Sequence, residues 1–538
     1  MIKKISAWAL RQPGWQDAFI LCLFTAVITA QPYLFHQTLN LFELGIYLPG
    51  IDGILHGQLP YRDFFYLRGP LELYIPALMM RFFGEHLGVL SAYFYLGTVV
   101  TLIAAVLIAW QLIPARLFLY CLVPVLVGRT FPRVVFSYWG GMRYGWGLLA
   151  VLFLILFINK KRGRWIFGAG VLTAVAGLTS LEIGVSVFLA GMASALFARR
   201  ERARAMFAYA AGIAIAALPI LVYLASQGAW TNYLNDHWVI ATQMAKMQLF
   251  LRTEITPTSP GQFFFALVNI AGKNFRQMTP FYCYLAFVVY LFWRRRKAGW
   301  DIPDQAAAAL SIYGLMLYFT AFRTLWQSVF EMALQPEKII LFYLVSRAGL
   351  FFIAQKKLKI ISWLFIVAII GSSLGYSIPR FSKRFSVFWK DPFENKACAR
   401  MDLARVKGMV LPDYQAQDFH LLQVFLDKHT QTRETVWMYP ELGSLHFILQ
   451  RPWVGRFPTA TMAWFDDAWQ DGYMRELRRL RPGYAVFERK SPQHFSQPCY
   501  SVKAKELFRE QFDYLQRNYT VAASTPSYDI YVRKDGNK

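Results

Sequence analysis

The side chains with the clearest chemical capability are gathered in one polar stretch, residues 40–71, and in the residue that follows it. A carboxylate beside apolar groups at a membrane surface can have its pKa raised toward neutrality, which suits a general base acting on a hydroxyl. An arginine nearby would complement a phosphate. The alternative for each acid is a solvated loop side chain. The charged and titratable candidates are Glu43, Asp52, Asp63, Glu72, Arg62, Arg68 and His56.

The rest of the chain has the composition of a polytopic membrane protein. Its 538 residues are 56% hydrophobic with a mean hydropathy of +0.32, which is too apolar and too long for one soluble core. Apolar windows of roughly 15 to 24 residues recur along it and predict about eleven spans. The windows are 17–35, 87–110, 115–128, 144–158, 165–178, 183–198, 206–225, 279–293, 305–322, 338–355 and 360–377.

The basic residues predict how these spans are oriented. A formal charge of +25 could suggest nucleic acid, but the lysines and arginines form short clusters between apolar windows, where they orient membrane proteins. With a cytoplasmic amino terminus, the clusters at 160–162, 199–202, 294–297 and 356–357 all fall on the cytoplasmic side. The same alternation predicts that these segments lie outside: 36–86, 129–143, 226–278, 323–337 and everything after about 378.

The first apolar window allows two interpretations. A basic start followed by an apolar run resembles a secretory signal peptide, with Ala30 at a small-residue cleavage site. We favour an uncleaved first helix, because the apolar character continues through Pro32 to Phe35 and reaches the length of a span. Either interpretation puts residue 40 outside the cytoplasm.

The composition becomes that of a soluble domain near residue 378. We therefore predict a transmembrane domain over 1–377, with the polar loop at 36–86, and an extracytoplasmic α/β domain over 378–538. Cys398 and Cys499 in the latter could form a disulfide or stay as free thiols. Within this domain the patterns predict strands at 434–440, 484–487 and 528–532, and helices at 441–449, 466–479 and 503–517.

The polar loop resembles a known family. Glu43, then GQLPYRDF at 57–64, then Gly-Pro-Leu at 69–71 is similar to the first extracytoplasmic loop of the GT-C superfamily of integral-membrane glycosyltransferases. The similarity is greatest to the lipid-phosphate-dependent group that includes protein O-mannosyltransferases and the aminoarabinose transferase of lipid A. In that group an acid, often part of an Asp-Glu pair, precedes the turn by about fourteen residues. The resemblance implies that Glu43 stands where the family's catalytic aspartate stands.

The sequence departs from the family pattern at four points. Leu44 replaces the second acid of the pair, and Pro49 is expected to interrupt what is normally a surface helix. The second outer loop lacks the aspartate of many relatives and offers Arg143. In a later outer loop, Arg323 stands in a stretch whose polar partners have changed.

The resemblance implies a transferase that moves a sugar from a polyprenyl-phosphate donor to a hydroxyl on a lipid, glycan or protein acceptor. Transfer would take place with inversion on the outer face of a bacterial inner membrane, with Glu43 as general base. No cofactor is assigned, although a divalent metal remains compatible. Arg68 is expected at the donor phosphate, with interfacial snorkelling as its alternative, and Asp63 is expected to fix the turn more than to do chemistry. The predicted substrate-binding residues are Tyr47, Tyr61, Arg62, Asp63, Arg68, Arg143 and Arg323.

Two other functions compete with this one. A transporter or lipid flippase would carry polar residues and broken helices near the bilayer midplane in two matching halves, whereas here the polar residues collect at one face. A non-catalytic membrane scaffold with an outer binding domain is favoured by the missing acids. Glu182 and His237 both lie on the predicted outer side. Glu182 could line a polar cavity or belong to a tight re-entrant turn, and His237 could be functional or incidental.

Overall fold

The computed structural model describes residues 8–130, 142–198, 201–242, 275–297, 299–321, 335–355, 359–432 and 434–534, with isolated positions at 261, 265, 268 and 269. The chain divides into two compact units. The first comprises residues 1–32, 93–219 and 254–390, and the second comprises 33–92, 220–253 and 391–538.

The chain is mainly α-helical, and each of the eleven predicted windows coincides with a helix in the described residues. The windows and the helices coincide because apolar runs of this length are too long to form strands. In the part of the chain that the structure describes, four helical segments are long and apolar enough to cross a membrane, namely 87–112, 142–160, 202–226 and 363–383. The eleven helices are Trp15–Thr29, Leu87–Leu112, Arg116–Thr130, Met142–Lys160, Gly163–Thr179, Leu181–Leu196, Arg202–Ser226, Phe275–Lys297, Ile302–Ala321, Gln335–Ala354 and Lys359–Phe388.

The first unit has a continuous apolar core with a few internal ion pairs. Aliphatic and aromatic side chains from most of the long helices fill the core. In the same unit, Arg294 and Arg347 both bind Asp301, at 3.1 and 2.8 Å, and Arg294 also contacts the buried Asp304 at 3.3 Å. Charged groups buried among apolar helices need such partners because an unpaired charge there is costly.

The second unit combines the polar loop with the C-terminal residues. Its loop part contains the helices Leu41–Leu55, which we name the loop helix, and Leu71–Phe83. The helix Trp230–Thr242, which we name the polar helix, belongs to the same unit. Residues 230–242, within the predicted outer segment 226–278, are therefore helical.

A four-stranded mixed sheet lies in the C-terminal part, and a short pair of strands precedes it. β1 (Cys398–Arg400) pairs antiparallel with β2 (Val410–Pro412). The sheet has the order β3-β4-β6-β5, in which β3 is parallel to β4 and the other neighbours are antiparallel. Its strands are β3 (Trp437–Tyr439), β4 (Tyr484–Glu488), β5 (Tyr519–Ser524) and β6 (Tyr528–Arg533).

The predicted elements of this part are present, and the structure adds others. The helix Asp467–Leu480 begins at the cap Asp466, whose carboxylate accepts from the Ala468 N–H at 3.0 Å, and Val502–Asn518 begins at the cap Ser501. Such caps satisfy N–H groups that have no partner within the helix. The strand β5 and the helices Asp413–His429 and Ser491–Ser496 were not predicted. The helix Gly443–Ile448, which we name the contact helix, lies within the predicted helix at 441–449.

The expectation that Pro49 interrupts the loop helix is wrong. The helix runs from Leu41 to Leu55 with Pro49 inside it and buried. Proline has no N–H, so the carbonyl of Gly45 one turn earlier loses its usual helical donor. The Thr459 hydroxyl donates to that carbonyl at 3.3 Å instead, so a distant part of the chain compensates for the proline.

Candidate active site

Glu43 lies in the first turn of the loop helix. The side chain of Asn40 caps this helix by accepting a hydrogen bond from the Glu43 backbone N–H at 3.2 Å. The Glu43 side chain is half-buried. A carboxylate in this position is favoured by the positive end of the helix dipole. The Asn40 cap thereby fixes the backbone from which the Glu43 side chain extends.

One turn further along, Tyr47 belongs to a buried network with Arg68. The Arg68 guanidinium donates to the Tyr47 hydroxyl and, at 2.9 Å, to the Glu72 carboxylate. Glu72 lies four residues after Arg68, in the first turn of the helix Leu71–Phe83. Tyr66 donates to the other Glu72 oxygen at 3.0 Å. Arg68 is 6% exposed and Glu72 2%. The network holds the guanidinium of Arg68 in one orientation beside the loop helix.

The turn of the sequence motif is built around Tyr61. Its φ of +69° lies in the left-handed region, which is unfavourable for a bulky residue unless its surroundings hold it. The Tyr61 hydroxyl donates to the Arg68 carbonyl, and its own carbonyl accepts from Asn232 at 2.9 Å and from Arg456 at 3.1 Å. Its ring packs edge-to-face on Tyr233, 5.0 Å between centroids. These contacts define the backbone that leads to Arg68.

Arg62 and Asp63 close the same turn from the outside. Both Asp63 oxygens accept from Arg62, at 2.9 and 2.8 Å, and one of them also accepts from the Leu59 N–H at 2.7 Å. The Arg62 hydrogen bonds, with help from Leu59, hold the pKa of Asp63 below its ordinary value. Asp63 thus joins the Arg62 side chain to the Leu59 backbone within the turn.

The C-terminal part of the second unit holds both ends of the loop helix. Before it begins, the Gln415 side chain donates to the carbonyl of Leu39 and accepts from its N–H, both at 2.9 Å. Near its end, Arg405 binds Asp52 at 3.0 Å and also Glu85 at 2.6 Å. Burial raises the pKa of Asp52, and the nearby Arg405 opposes that shift.

The middle of the loop helix packs closely on the contact helix. A Cβ on Gly45 would lie 3.0 Å from the Ser444 nitrogen and 3.1 Å from the Gly443 Cα. Ser444 also donates to the Leu41 carbonyl at 2.8 Å. The two backbones meet because neither Gly45 nor Gly443 has a side chain.

The polar helix contributes one buried acid to the same unit. Asp236 is 1% exposed and forms an ion pair with Arg456, whose backbone carbonyl also accepts from the Phe65 N–H at 2.8 Å. Burial raises the pKa of Asp236 to about 6, against the opposing effect of Arg456. Arg456 therefore connects the polar helix to the turn at Tyr61.

The remaining predicted site residues lie in the first unit or outside the described residues. Arg143 is buried and contacts Glu182 at 3.5 Å, so two residues that the sequence marked separately are partners. Arg143 also donates to the Tyr144 hydroxyl at 3.1 Å. Arg323 lies outside the described residues.

Sequence reasoning missed the C-terminal residues that hold the loop, namely Arg405, Gln415, Ser444, Arg456 and Thr459. No local pattern marks them, because each acts on a partner hundreds of residues away. Cys398 and Cys499 are exposed free thiols, which is one of the two states considered for them. In the described part of the chain, no three His, Cys, Asp or Glu side chains lie together as a metal site needs, and we assign no metal ligand.

Comparisons with known proteins support the architecture. No protein-family model matches the sequence, and no curated protein matches it. Among solved structures, ArnT from Cupriavidus metallidurans bound to undecaprenyl phosphate is 12% identical at a TM-score of 0.51, over 96% of this chain and 98% of that one. The same protein in its apo state gives 11% and 0.52, over 95% and 97%.

A second solved structure is similar over nearly the whole chain. The archaeal oligosaccharyltransferase AglB from Archaeoglobus fulgidus, in complex with an inhibitory peptide and a dolichol-phosphate, is 11% identical at a TM-score of 0.50. The match covers 97% of this chain and 74% of AglB. At such identities the likeness concerns the fold alone, which this chain shares with ArnT and AglB.

Proposed function

We propose that this chain, a polytopic membrane protein with the GT-C fold, is a glycosyltransferase that uses a polyprenyl-phosphate-linked sugar. The observation that carries the proposal is Glu43 at the start of a loop helix that the C-terminal part of the chain holds at both ends. ArnT and AglB, which share the fold, have been seen with undecaprenyl phosphate and a dolichol-phosphate respectively. Those ligands support a lipid-phosphate donor for this chain.

Three other acids of the loop stabilise its structure. Glu72 is paired with Arg68, Asp52 with Arg405, and Asp63 with Arg62. The Arg62 hydrogen bonds also lower the pKa of Asp63, which makes this carboxylate a weaker base. Support for Glu43 as the base comes from its spacing to the turn at Gly57.

The reaction we propose is a single displacement. The Glu43 carboxylate takes the proton of an acceptor hydroxyl while that oxygen forms a bond to the anomeric carbon of the donor sugar. The bond between the anomeric carbon and the phosphate oxygen breaks, and the lipid phosphate leaves with the electron pair. Because attack and departure take place on opposite faces, the anomeric configuration inverts. A lipid phosphate is already a weak base, so this step needs no strong general acid.

Arg68 is our proposed phosphate contact. Its guanidinium is oriented in advance by Tyr47 and Glu72, which lowers the cost of arranging it around a charge that develops on the leaving group. Arg143 and Arg323 remain proposed contributors. Tyr47, Tyr61, Arg62 and Asp63 then act mainly by shaping the loop that carries Glu43 and Arg68.

The test is replacement of Glu43 by Gln, which keeps size and hydrogen bonding but removes the base. Transfer from a polyprenyl-phosphate sugar in reconstituted membranes should fall by about 10²- to 10⁴-fold. Glu43→Asp should retain part of the activity, and Glu506→Gln on an exposed helix face should retain all of it. Unchanged transfer in Glu43→Gln would exclude Glu43 as the base and leave a scaffold or transporter to be considered.

A further inference from the structure

Asp236, on the polar helix, lies at one end of a series of contacts that leads to Arg68. Its carboxylate forms an ion pair with Arg456, and the same guanidinium nitrogen of Arg456 donates to the Tyr61 carbonyl at 3.1 Å. At 1% exposure, Asp236 is too buried to meet a substrate. Any part that it has in a reaction must therefore act through these partners.

Arg456 binds the segment before Arg68 at two positions. Its guanidinium contacts the Tyr61 carbonyl, and its backbone carbonyl accepts from the Phe65 N–H at 2.8 Å. The Phe65 ring also packs on Phe457, the next residue but one after Gly455, with 5.2 Å between the ring centroids. A displacement of Arg456 would therefore move the backbone of this segment at both positions.

The polar helix holds Tyr61 through two further residues. The Asn232 side chain donates to the same Tyr61 carbonyl at 2.9 Å, and the Tyr233 ring packs on the Tyr61 ring. Asn232 lies one helical turn before Asp236, so both residues lie on one face of the helix. Together they hold Tyr61 at its positive φ, which a tyrosine adopts only when its surroundings enforce it.

Tyr61 connects this anchored turn to Arg68. The Tyr61 side chain is fully buried, and its hydroxyl donates to the Arg68 carbonyl. The Arg68 guanidinium is oriented by Tyr47 and Glu72, but those hydrogen bonds can form only when the Arg68 backbone lies in the right place. The position of the guanidinium thus depends on contacts to the backbone of Arg68 as well as to its side chain.

The ion pair of Asp236 contributes orientation more than stability. A buried pair adds little net stability because both charges lose water, whereas removal of one partner leaves the other charge uncompensated. The Arg456 side chain is 25% exposed. Without the charge of Asp236, its guanidinium would be free to turn toward water and away from the Tyr61 carbonyl.

We propose that Asp236 is a positioning residue for the donor phosphate, and that it acts through Arg456 and Tyr61 on Arg68. The inference rests on the proposed function, in which the Arg68 guanidinium contacts that phosphate. It gives the polar helix a role in donor affinity that the spacing of the sequence motif does not indicate.

The test measures how tightly the full-length protein in detergent binds undecaprenyl phosphate, and undecaprenol as the analogue without a phosphate. Asp236→Asn keeps the shape of the side chain and removes its charge. It should weaken binding of undecaprenyl phosphate about threefold to tenfold, as expected for the loss of about one hydrogen bond. Binding of undecaprenol should stay the same, whereas a purely structural role would weaken the binding of both lipids alike.

A double-mutant cycle determines whether Asp236 acts through Arg68. Arg68→Lys loses the planar fork that matches a phosphate. In that background Asp236→Asn should change the affinity for undecaprenyl phosphate by less than about twofold, because the group that it positions is absent. Effects that multiply in the double variant would refute the positioning role.

Two further variants complete the set. Asn232→Ala removes the other side-chain donor to the Tyr61 carbonyl and should cause a smaller loss of undecaprenyl phosphate binding. Its result decides the question if Asp236→Asn does not fold. The matched control is Asp427→Asn, which breaks a different ion pair, with Arg451 at 2.7 Å, and should bind both lipids like the wild type.

The same measurements separate this inference from the proposed function. Glu43→Gln should lose transfer but bind undecaprenyl phosphate like the wild type. If Glu43→Gln retains full transfer while Asp236→Asn loses phosphate-dependent binding, the proposed mechanism fails and the positioning role stands. If transfer requires Glu43 but Asp236→Asn binds both lipids normally, the mechanism stands and the positioning role is refuted. A wild type that binds undecaprenol as tightly as undecaprenyl phosphate would also refute it.

Discussion

Arg68, our proposed phosphate contact, also has a structural role in the loop. It is nearly inaccessible to solvent and paired with Glu72, and such buried pairs give little net stability because both charges lose water. Removing one partner is different, since it leaves an uncompensated charge. The pair therefore stabilises one arrangement of the loop more than it stabilises the protein. That arrangement presents a guanidinium beside the helix that carries Glu43.

Arg68→Lys should separate the two roles. Lysine keeps the charge but loses the planar fork that matches a phosphate, so we expect the KM for the lipid-linked donor to rise about tenfold or more. The matched variant is Glu72→Gln, which leaves Arg68 without its counter-charge and should lower stability by about 3–5 kcal/mol. Steady-state kinetics and thermal unfolding in detergent provide the measurements. An unchanged donor KM in Arg68→Lys would restrict this residue to a structural role.

At the scale of elements, the loop helix and the contact helix act as a pair. Pro49 frees a buried carbonyl at Gly45, and Thr459 supplies the donor that the proline cannot. Gly45 and Gly443 permit the close approach, and Ser444 adds a hydrogen bond to Leu41. The first-turn geometry of Glu43 therefore depends on a helix 6 residues long from a distant part of the sequence.

A double-mutant cycle tests the compensation of the proline. Thr459→Val should lower the free energy of unfolding by about 1–3 kcal/mol, because it leaves the Gly45 carbonyl buried without a donor. Thr459→Ser should not. In a Pro49→Ala background the helix supplies its own N–H, so the Thr459→Val penalty should largely disappear. Equal penalties in both backgrounds would mean that Thr459 acts independently of the proline.

The contact helix also makes the pair sensitive to acid. Burial lowers the pKa of His446 to about 4, and its Nδ1 lies 3.0 Å from the Arg451 carbonyl. Unfolded histidine has a pKa near 6.5, so the folded state takes up this proton later than the unfolded state does. Stability from this residue is complete above pH 6.5 and declines as the pH falls toward 4.

This loss should amount to at most about 3 kcal/mol at pH 4. His446→Asn can keep a donor to the Arg451 carbonyl without titrating, and it should flatten this part of the stability profile. Thermal unfolding of both proteins between pH 4 and pH 7.5 is the measurement. Parallel profiles would show that another group controls the acid response.

At the scale of the whole molecule, segments distant in sequence form one compact unit. Residues 33–92 belong with 220–253 and 391–538, whereas most of the long apolar helices belong to the other unit. The hydrogen bond between Thr459 and Gly45 joins residues 414 positions apart. The loop that carries Glu43 can reach its final geometry only after the C-terminal part has been synthesised, since contacts so far apart in sequence form late.

The orientation predicted by the basic clusters can be tested with the two exposed cysteines. If residues after about 378 lie outside, a membrane-impermeant maleimide should label Cys398 and Cys499 in intact cells. In a variant with both replaced by serine, Arg296→Cys should be labelled only after the membrane is permeabilised. The reverse pattern would invert the topology and place Glu43 on the cytoplasmic side.

The helices, and much of the C-terminal part, could be predicted from the sequence because their signals are local. Apolar runs predicted the eleven helices, short strand-like stretches predicted β3 and β4, and alternation predicted β6. β5 was missed because most of its side chains are exposed and it pairs with β6 alone. The effect of Pro49 was predicted wrongly because the hydroxyl that compensates for it belongs to Thr459, and no pattern near position 49 indicates that residue.

By itself, the sequence determined the membrane class, the positions of the long helices and the loop whose spacing marks Glu43, because hydrophobicity and motif spacing act over short stretches. Only the tertiary structure decided which partner each acid of that loop has. It paired Arg68 with Glu72 and Arg405 with Asp52. It also placed the Thr459 hydroxyl at the Gly45 carbonyl, which Pro49 leaves without its usual helical donor. Two of these three contacts join residues hundreds of positions apart, and buried polar groups take whichever partners the packing of the whole unit brings near.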